Sequence, residues 1–229
     1  MLNTDPTDSA AGGPSMSDLD LPAVIAVLVV DDAADALPLA ECLLDNGIRA
    51  MELTLRTPAA LEALAAVRSG LPEMLAGVGT VLTPDQVRQV RAAGAAFGVA
   101  PGLNRAVLEA ARDAGLPFAP GVATPSDVEA GLEFGCRVLK FFPAEPSGGL
   151  GYLKSMAAPY AHLGLTFVPL GGLNADNLGE WLASPLVSSV GGSWLAPRDL
   201  IRARKWAEIG ARAADATRIV EQTRQGEAK

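Results

Sequence analysis

From residue 24 onward, short Val- and Leu-rich runs alternate with longer Ala- and Leu-rich patterns of helical spacing, and the alternation repeats eight times. The strand candidates are Val24–Val30, Ala50–Leu55, Met74–Thr80, Phe97–Pro101, Pro117–Gly121, Arg137–Pro143, Thr166–Gly172 and Ser188–Trp194. Helical patterns lie near residues 33–46, 58–69, 84–93, 104–114, 125–134, 149–158 and 174–183, with a last one over 198–224. Thr57-Pro58, Thr83-Pro84, Asn104, Thr124-Pro125 and Asn174 signal helix starts, because each offers a capping side chain and proline suits the first turn. Gly47, Gly94, Gly115 and Gly135 fall where a left-handed helix end is expected. Near-continuous apolar strands joined by short connections are covered on both faces, which means a parallel sheet. Eight such units predict an α/β fold, a (β/α)8 TIM barrel. A doubly wound open sheet is the competing fold, but no GxGxxG follows the first strand and eight units suit closure better.

The 229 residues are enough for one barrel domain, expected over 21–229. Residues Met1 to Ser17 are rich in Ser, Asp, Gly, Pro and Thr with no basic start or apolar core, so a disordered tail over 1–20 is expected rather than a signal peptide. The longest apolar run, Leu21 to Val30, is too short to cross a bilayer, and the expectation is a soluble, cytoplasmic protein. A net charge of −8 without a basic stripe argues against nucleic-acid or anionic-membrane partners. Any phosphate must then be held locally. Cys42 and Cys136 lack CxxC or CxxH spacing and read as buried free thiols of a reducing compartment. His162 is the only histidine, expected in a loop after the sixth helix, which argues against a His-based triad or a multi-histidine metal site.

In such barrels chemistry sits at the carboxyl ends of the strands. The sixth run, Arg137-Val-Leu-Lys140-Phe-Phe-Pro143, puts one lysine in an apolar strand, with Val138, Lys140 and Phe142 on one face. Burial favours a neutral amine, a nucleophile that condenses with carbonyls. A strand-end lysine also snorkels to water. On the second strand, alternation sets Glu52, Thr54 and Arg56 on one face if Met51, Leu53 and Leu55 meet the helices. Interior charges are either paired or functional. Two readings follow: a structural Glu52–Arg56 ion pair, or Glu52 as acid/base with Arg56 as a forked donor to a carboxylate that also disfavours an ammonium nearby. Gly77-Val-Gly-Thr80 lets a ligand approach the backbone and ends in a hydroxyl; Pro101 and Pro120 shape the rim. Gly171-Gly172 and Gly191-Gly192-Ser193 end the last two strands, the usual phosphate position, although glycine pairs also serve tight turns. Trp181 and Trp194 read as packing residues.

Taken together, Glu52-Leu-Thr-Leu-Arg56, Gly77-Val-Gly-Thr-Val-Leu82, Pro101-Gly102, Lys140-Phe-Phe-Pro-Ala-Glu145, Gly171-Gly172 and Gly191-Gly-Ser-Trp-Leu195 resemble, in order over about residues 24–200, the bacterial 2-keto-3-deoxy-6-phosphogluconate aldolases, which also act as 4-hydroxy-2-oxoglutarate aldolases. The resemblance implies a homotrimeric class I aldolase of the Entner-Doudoroff type, with no metal or cofactor. It makes Lys140 the Schiff-base lysine and Glu52 the general acid/base. It sets Arg56, Thr80 and Pro101 around the substrate carboxylate and methyl, and Gly171, Gly172, Gly192 and Ser193 around its phosphate. Leu170 stands where many relatives carry threonine, and the segment before the first strand is short where relatives often carry an amphipathic helix. Three rivals remain at this level: oxaloacetate decarboxylation through the same imine, a phosphate-binding isomerase or synthase with no covalent lysine, and a non-catalytic sensor of phosphorylated sugar acids.

Overall fold

The computed structural model describes residues 15–227. Its strands are β1 (Val24–Leu28), β2 (Ala50–Thr54), β3 (Leu75–Gly79), β4 (Gly98–Val99), β5 (Phe118–Ala119), β6 (Gly121–Val122), β7 (Val138–Phe141), β8 (Thr166–Pro169) and β9 (Val190–Gly192). Its helices are α1 (Ala36–Asp45), α2 (Ala60–Gly70), α3 (Pro84–Ala92), α4 (Arg105–Asp113), α5 (Pro125–Glu133), α6 (Gly149–Ala157), α7 (Ala175–Leu182), α8 (Arg198–Arg202) and α9 (Trp206–Glu227). The named strands pair in parallel, in a six-stranded sheet of order β5-β4-β3-β2-β1-β9 and a three-stranded sheet of order β6-β7-β8. The result is a mixed α/β fold whose parallel strands curl around a shared interior.

The eight expected strand regions are all present, mostly shorter than read. The fifth is split at Pro120, which has no N–H to give to a ladder, although its carbonyl still accepts from Lys140 N at 2.9 Å. Three helix starts carry reciprocal caps: Thr83 with Gln86, Thr124 with Asp127 and Asn174 with Asn177. Thr57 does otherwise. α2 starts later, at Ala60, and the Thr57 hydroxyl donates to the Val30 carbonyl, tying β2's exit to the loop after β1. The single helix expected over 198–224 is two helices, parted at Arg204, whose φ of 53° ends α8 while its Nε donates to the buried Asp35 carboxylate at 2.7 Å. His162 lies in a short 3-10 turn, Ala158–Leu163, directly after α6.

Two apolar layers position the site. The larger one contains outward side chains of the strands, such as Leu28, Met51, Leu53, Leu139 and Phe141, against the helices. The smaller one fills the space the strands enclose: Met16, Ile25, Ala50, Phe97, Val99, Ala119, Val138, Val168 and Leu170. The alternation read from sequence therefore holds on β2 and β7. Of the tail expected over 1–20, residues 1–14 lie outside the described residues, and the rest needs correcting. Ser15 caps a 3-10 turn over Met16–Asp18, with Asp18 bonding back to Ser15 N, and Met16 is buried in the inner layer. Burying that side chain is worth about 1.5–3 kcal/mol, which a disordered tail would forgo. Both thiols are free; burial pushes that of Cys136 up to about 11. No helix among the described residues is long and apolar enough to cross a membrane.

Candidate active site

Lys140 sits third in β7, in register with Gly121 on one side and Val168 on the other. Its side chain enters the inner layer and does not snorkel: Lys140 is 6% exposed. Glu52, third in β2, enters the same space and is 3% exposed. The Lys140 Nζ stands 3.4 Å from Glu52 Oε1 and 5.6 Å from the centroid of the Phe142 ring. Taking two such groups out of water costs several kcal/mol each, and one contact at 3.4 Å is a loose return on that cost. A buried pair so arranged is better suited to chemistry than to stability.

The wall beside them explains Gly77-Val-Gly-Thr80. A Cβ on Gly79 would lie 1.7 Å from Glu52 Oε1, and one on Gly77 would lie 2.3 Å from the Phe97 ring. The first glycine seats an aromatic ring of the floor and the second seats the carboxylate. Gly79→Ala should therefore displace Glu52 and lower kcat about 100-fold, the usual cost of an ångström's misplacement. Steady-state kinetics beside a melting curve checks this, the fold being expected to survive. Thr80 follows with φ 62°, a conformation that β-branched residues rarely adopt and that clusters at functional sites.

A small cavity bounded by Met16, Glu52, Phe97, Lys140, Val168 and Leu170, among others, joins the two charged groups to the apolar floor. A wider cleft of about 490 Å³ opens between the strand starts and α9, and none of the expected site residues borders it.

The remaining expected residues are placed as follows. Thr54 is buried and its hydroxyl donates to Leu28 O at 3.0 Å. Arg56 lies beyond the last residue of β2, exposed, with Nε donating to Thr54 Oγ1 at 3.3 Å. It makes no ion pair among the described residues, so the structural Glu52–Arg56 pair does not form; Lys140 takes the carboxylate instead. Pro101 turns the chain after β4, half-buried, its carbonyl so near β6 that a Cβ on Gly121 would meet it at 2.2 Å.

Gly171 and Gly172 follow β8 with φ of 96° and 86°. Gly191 and Gly192 are buried at the end of β9 and Ser193 is exposed after them. These glycines also serve packing: a Cβ on Gly191 would meet Leu170, and one on Gly192 the Trp194 ring. The Trp194 indole N–H is the one buried side-chain polar atom without a partner among the described residues. Trp181, buried, packs near Phe141 and gives its N–H to Glu145.

Sequence reasoning missed three contributors. Glu145 was read only as part of a motif, yet it bonds to α7. Met16 stood alone in a polar stretch. The seating role of Gly79 was half visible, as small residues beside a strand end.

Comparisons with known proteins identify the family. The family described as KDPG and KHG aldolase matches residues 16–212. A 2-dehydro-3-deoxy-phosphogluconate aldolase of Treponema pallidum is 43% identical over 86% of this chain and 93% of its own. The KHG/KDPG aldolase of Escherichia coli K12 is 39% identical over 81% and 86%. Among solved structures, the KDPG aldolase of Legionella pneumophila, with pyruvate captured at low pH as a covalent carbinolamine intermediate, superposes with a TM-score of 0.81 at 41% identity, over 85% of this chain and 93% of that one. With a lysine and a carboxylate meeting in a buried interior, and with relatives matched along most of its length, this chain belongs to the KDPG and KHG aldolase family.

Proposed function

We propose that this protein is a class I aldolase that cleaves 2-keto-3-deoxy-6-phosphogluconate to pyruvate and glyceraldehyde 3-phosphate through an imine on Lys140, and that it also accepts 4-hydroxy-2-oxoglutarate. The observation that carries the reading is the 3.4 Å approach of the Lys140 amine to the Glu52 carboxylate in an interior where both are under a tenth exposed. The carbinolamine caught in the Legionella pneumophila relative supports the same chemistry.

Glu52 takes a proton from the Lys140 ammonium, the freed amine adds to the C2 carbonyl, and Glu52 returns the proton to the departing hydroxyl as the carbinolamine loses water. The resulting iminium accepts the electron pair released when the C3–C4 bond breaks. Glu52, through one water, removes the C4 hydroxyl proton as the aldehyde departs. The enamine is then protonated at C3, and hydrolysis of the imine frees pyruvate and restores the amine. Arg56, whose guanidinium has no acid partner among the described residues, and the strained Thr80 hold the substrate carboxylate beside Pro101 so that C2 faces Nζ. Gly171, Gly172, Gly192 and Ser193 present backbone N–H groups and a hydroxyl to the phosphate, so an acidic protein needs no cationic patch.

The same reading takes the two sheets as one (β/α)8 barrel. β5 and β6 are then one strand interrupted at Pro120. β8 meets the run into β9 where Phe167 N donates to Leu186 O at 2.7 Å and Ser188 N donates to Phe167 O at 3.1 Å.

Pyruvate release, coupled to lactate dehydrogenase, tests the substrate assignment. The expected result is turnover of 2-keto-3-deoxy-6-phosphogluconate and of 4-hydroxy-2-oxoglutarate, with the galactonate epimer assayed beside them. No pyruvate from any of the three would contradict it.

A further inference from the structure

We propose that Glu145 is a positioning residue that shapes the phosphate end of the site, by clamping the Gly171–Gly172 loop to the strand that carries Lys140. The proposal rests on the reading of that loop as the phosphate cradle.

A loop of two left-handed glycines has no side chains with which to hold its own shape, so its neighbours must impose it. Here the neighbour is the segment leaving β7. Ala144 N donates to Leu170 O at 2.7 Å and Glu145 N donates to Gly171 O at 3.0 Å, continuing the β7–β8 pairing into the loop. The Glu145 side chain then reaches across to α7. Its Oε1 accepts from the indole N–H of Trp181 at 2.8 Å and from Asn177 Nδ2 at 3.4 Å. The same Asn177 amide nitrogen donates to Gly172 O at 3.2 Å, while its Oδ1 accepts from Asn174 N at 2.9 Å to cap α7.

One carboxylate thereby joins the exit of the lysine strand, the glycine loop and the first turns of the helix behind it. The fit is close: a Cβ on Gly172 would lie 2.5 Å from Glu145 Cβ, so the loop rests directly on this side chain. Trp181 is 1% exposed, and a buried indole N–H needs an acceptor, which among the described residues Glu145 alone supplies. Without it the indole is orphaned, and Asn177, which still donates to Gly172 O, loses its tie to the segment leaving β7. Among the described residues the Lys140 amine and the Glu52 carboxylate bond to each other and not to Glu145, Asn177 or Trp181. The consequence is selective: recognition of the phosphate suffers and imine chemistry does not.

The experiment compares kcat and KM for 2-keto-3-deoxy-6-phosphogluconate and for the unphosphorylated 4-hydroxy-2-oxoglutarate in wild type, Glu145→Ala and Glu145→Gln. Glu145→Ala is expected to raise KM for the phosphorylated substrate about tenfold, the scale of one hydrogen bond to a charged group, and to leave the unphosphorylated substrate within about twofold. Glu145→Gln keeps an acceptor for the indole and should retain most of the preference. If Glu145→Ala does not fold, Asn177→Ala breaks the bridge to Gly172 from the exposed side and should move the same KM in the same direction. A wild type that cannot distinguish the two substrates overturns the phosphate reading, and this role for Glu145 with it. A wild type that distinguishes them beside Glu145→Ala or Asn177→Ala variants that do so equally well, or that lose both substrates alike, overturns the role of Glu145 alone.

Discussion

Replacing Lys140 by methionine is expected to lower kcat by on the order of 10⁶-fold, the scale seen when an enzyme loses its nucleophile. Methionine fills nearly the same volume among Val138, Val168 and Leu170, so lost packing does not account for such a change. Labelling by pyruvate in the presence of borohydride should vanish with turnover. The substitution has a second consequence, because Glu52 is 3% exposed and loses its cation. Breaking a buried pair from one side typically costs about 3–5 kcal/mol, so the variant should melt below wild type. Adding Glu52→Gln to it should recover part of that stability without restoring any activity. Steady-state assays and melting curves on the three proteins check both statements together.

Glu52→Gln alone should behave differently. The amine remains and the amide keeps the carboxylate's shape against Gly79, so an imine with pyruvate still forms. What is lost is the group that carries protons to and from the carbinolamine and the C4 hydroxyl. General acid–base catalysis of this kind contributes about 10²–10⁴-fold, and kcat should fall by that amount. Borohydride labelling should persist at a reduced rate. A variant that turns over normally would make Glu52 a structural partner of the lysine and no more.

How far the site was legible in the chain depends on whether a residue lay inside a regular element. Glu52 and Lys140 stand in the middle of strands, where alternation fixes the facing side chain, and a charge within an apolar run is conspicuous. Both were assigned the inner face, and both occupy it. Arg56 was assigned by extending the same alternation one step past the end of β2, where the backbone turns and the rule no longer applies. Glu145 bonds to Asn177 and Trp181, 32 and 36 positions further on, and no local pattern encodes that pairing. Met16 reads as part of a polar tail because a single methionine makes no period; its burial depends on the space the strands enclose. The break between α8 and α9 had neither glycine nor proline to announce it. It arises where Arg204 adopts a left-handed φ and meets Asp35 across the fold. By contrast, the caps at Thr83, Thr124 and Asn174 are short-range devices, and they stand where they were read.

The central claim is that one amine in the interior forms the covalent bond to substrate. Incubating the wild-type protein with pyruvate and borohydride, digesting it and locating the modified peptide by mass spectrometry tests that directly. The account predicts a single reduced pyruvate adduct on the peptide containing Lys140, with Lys154, Lys205 and Lys229 unmodified. An adduct on any of those three lysines, or none at all from an enzyme that still releases pyruvate, would contradict it.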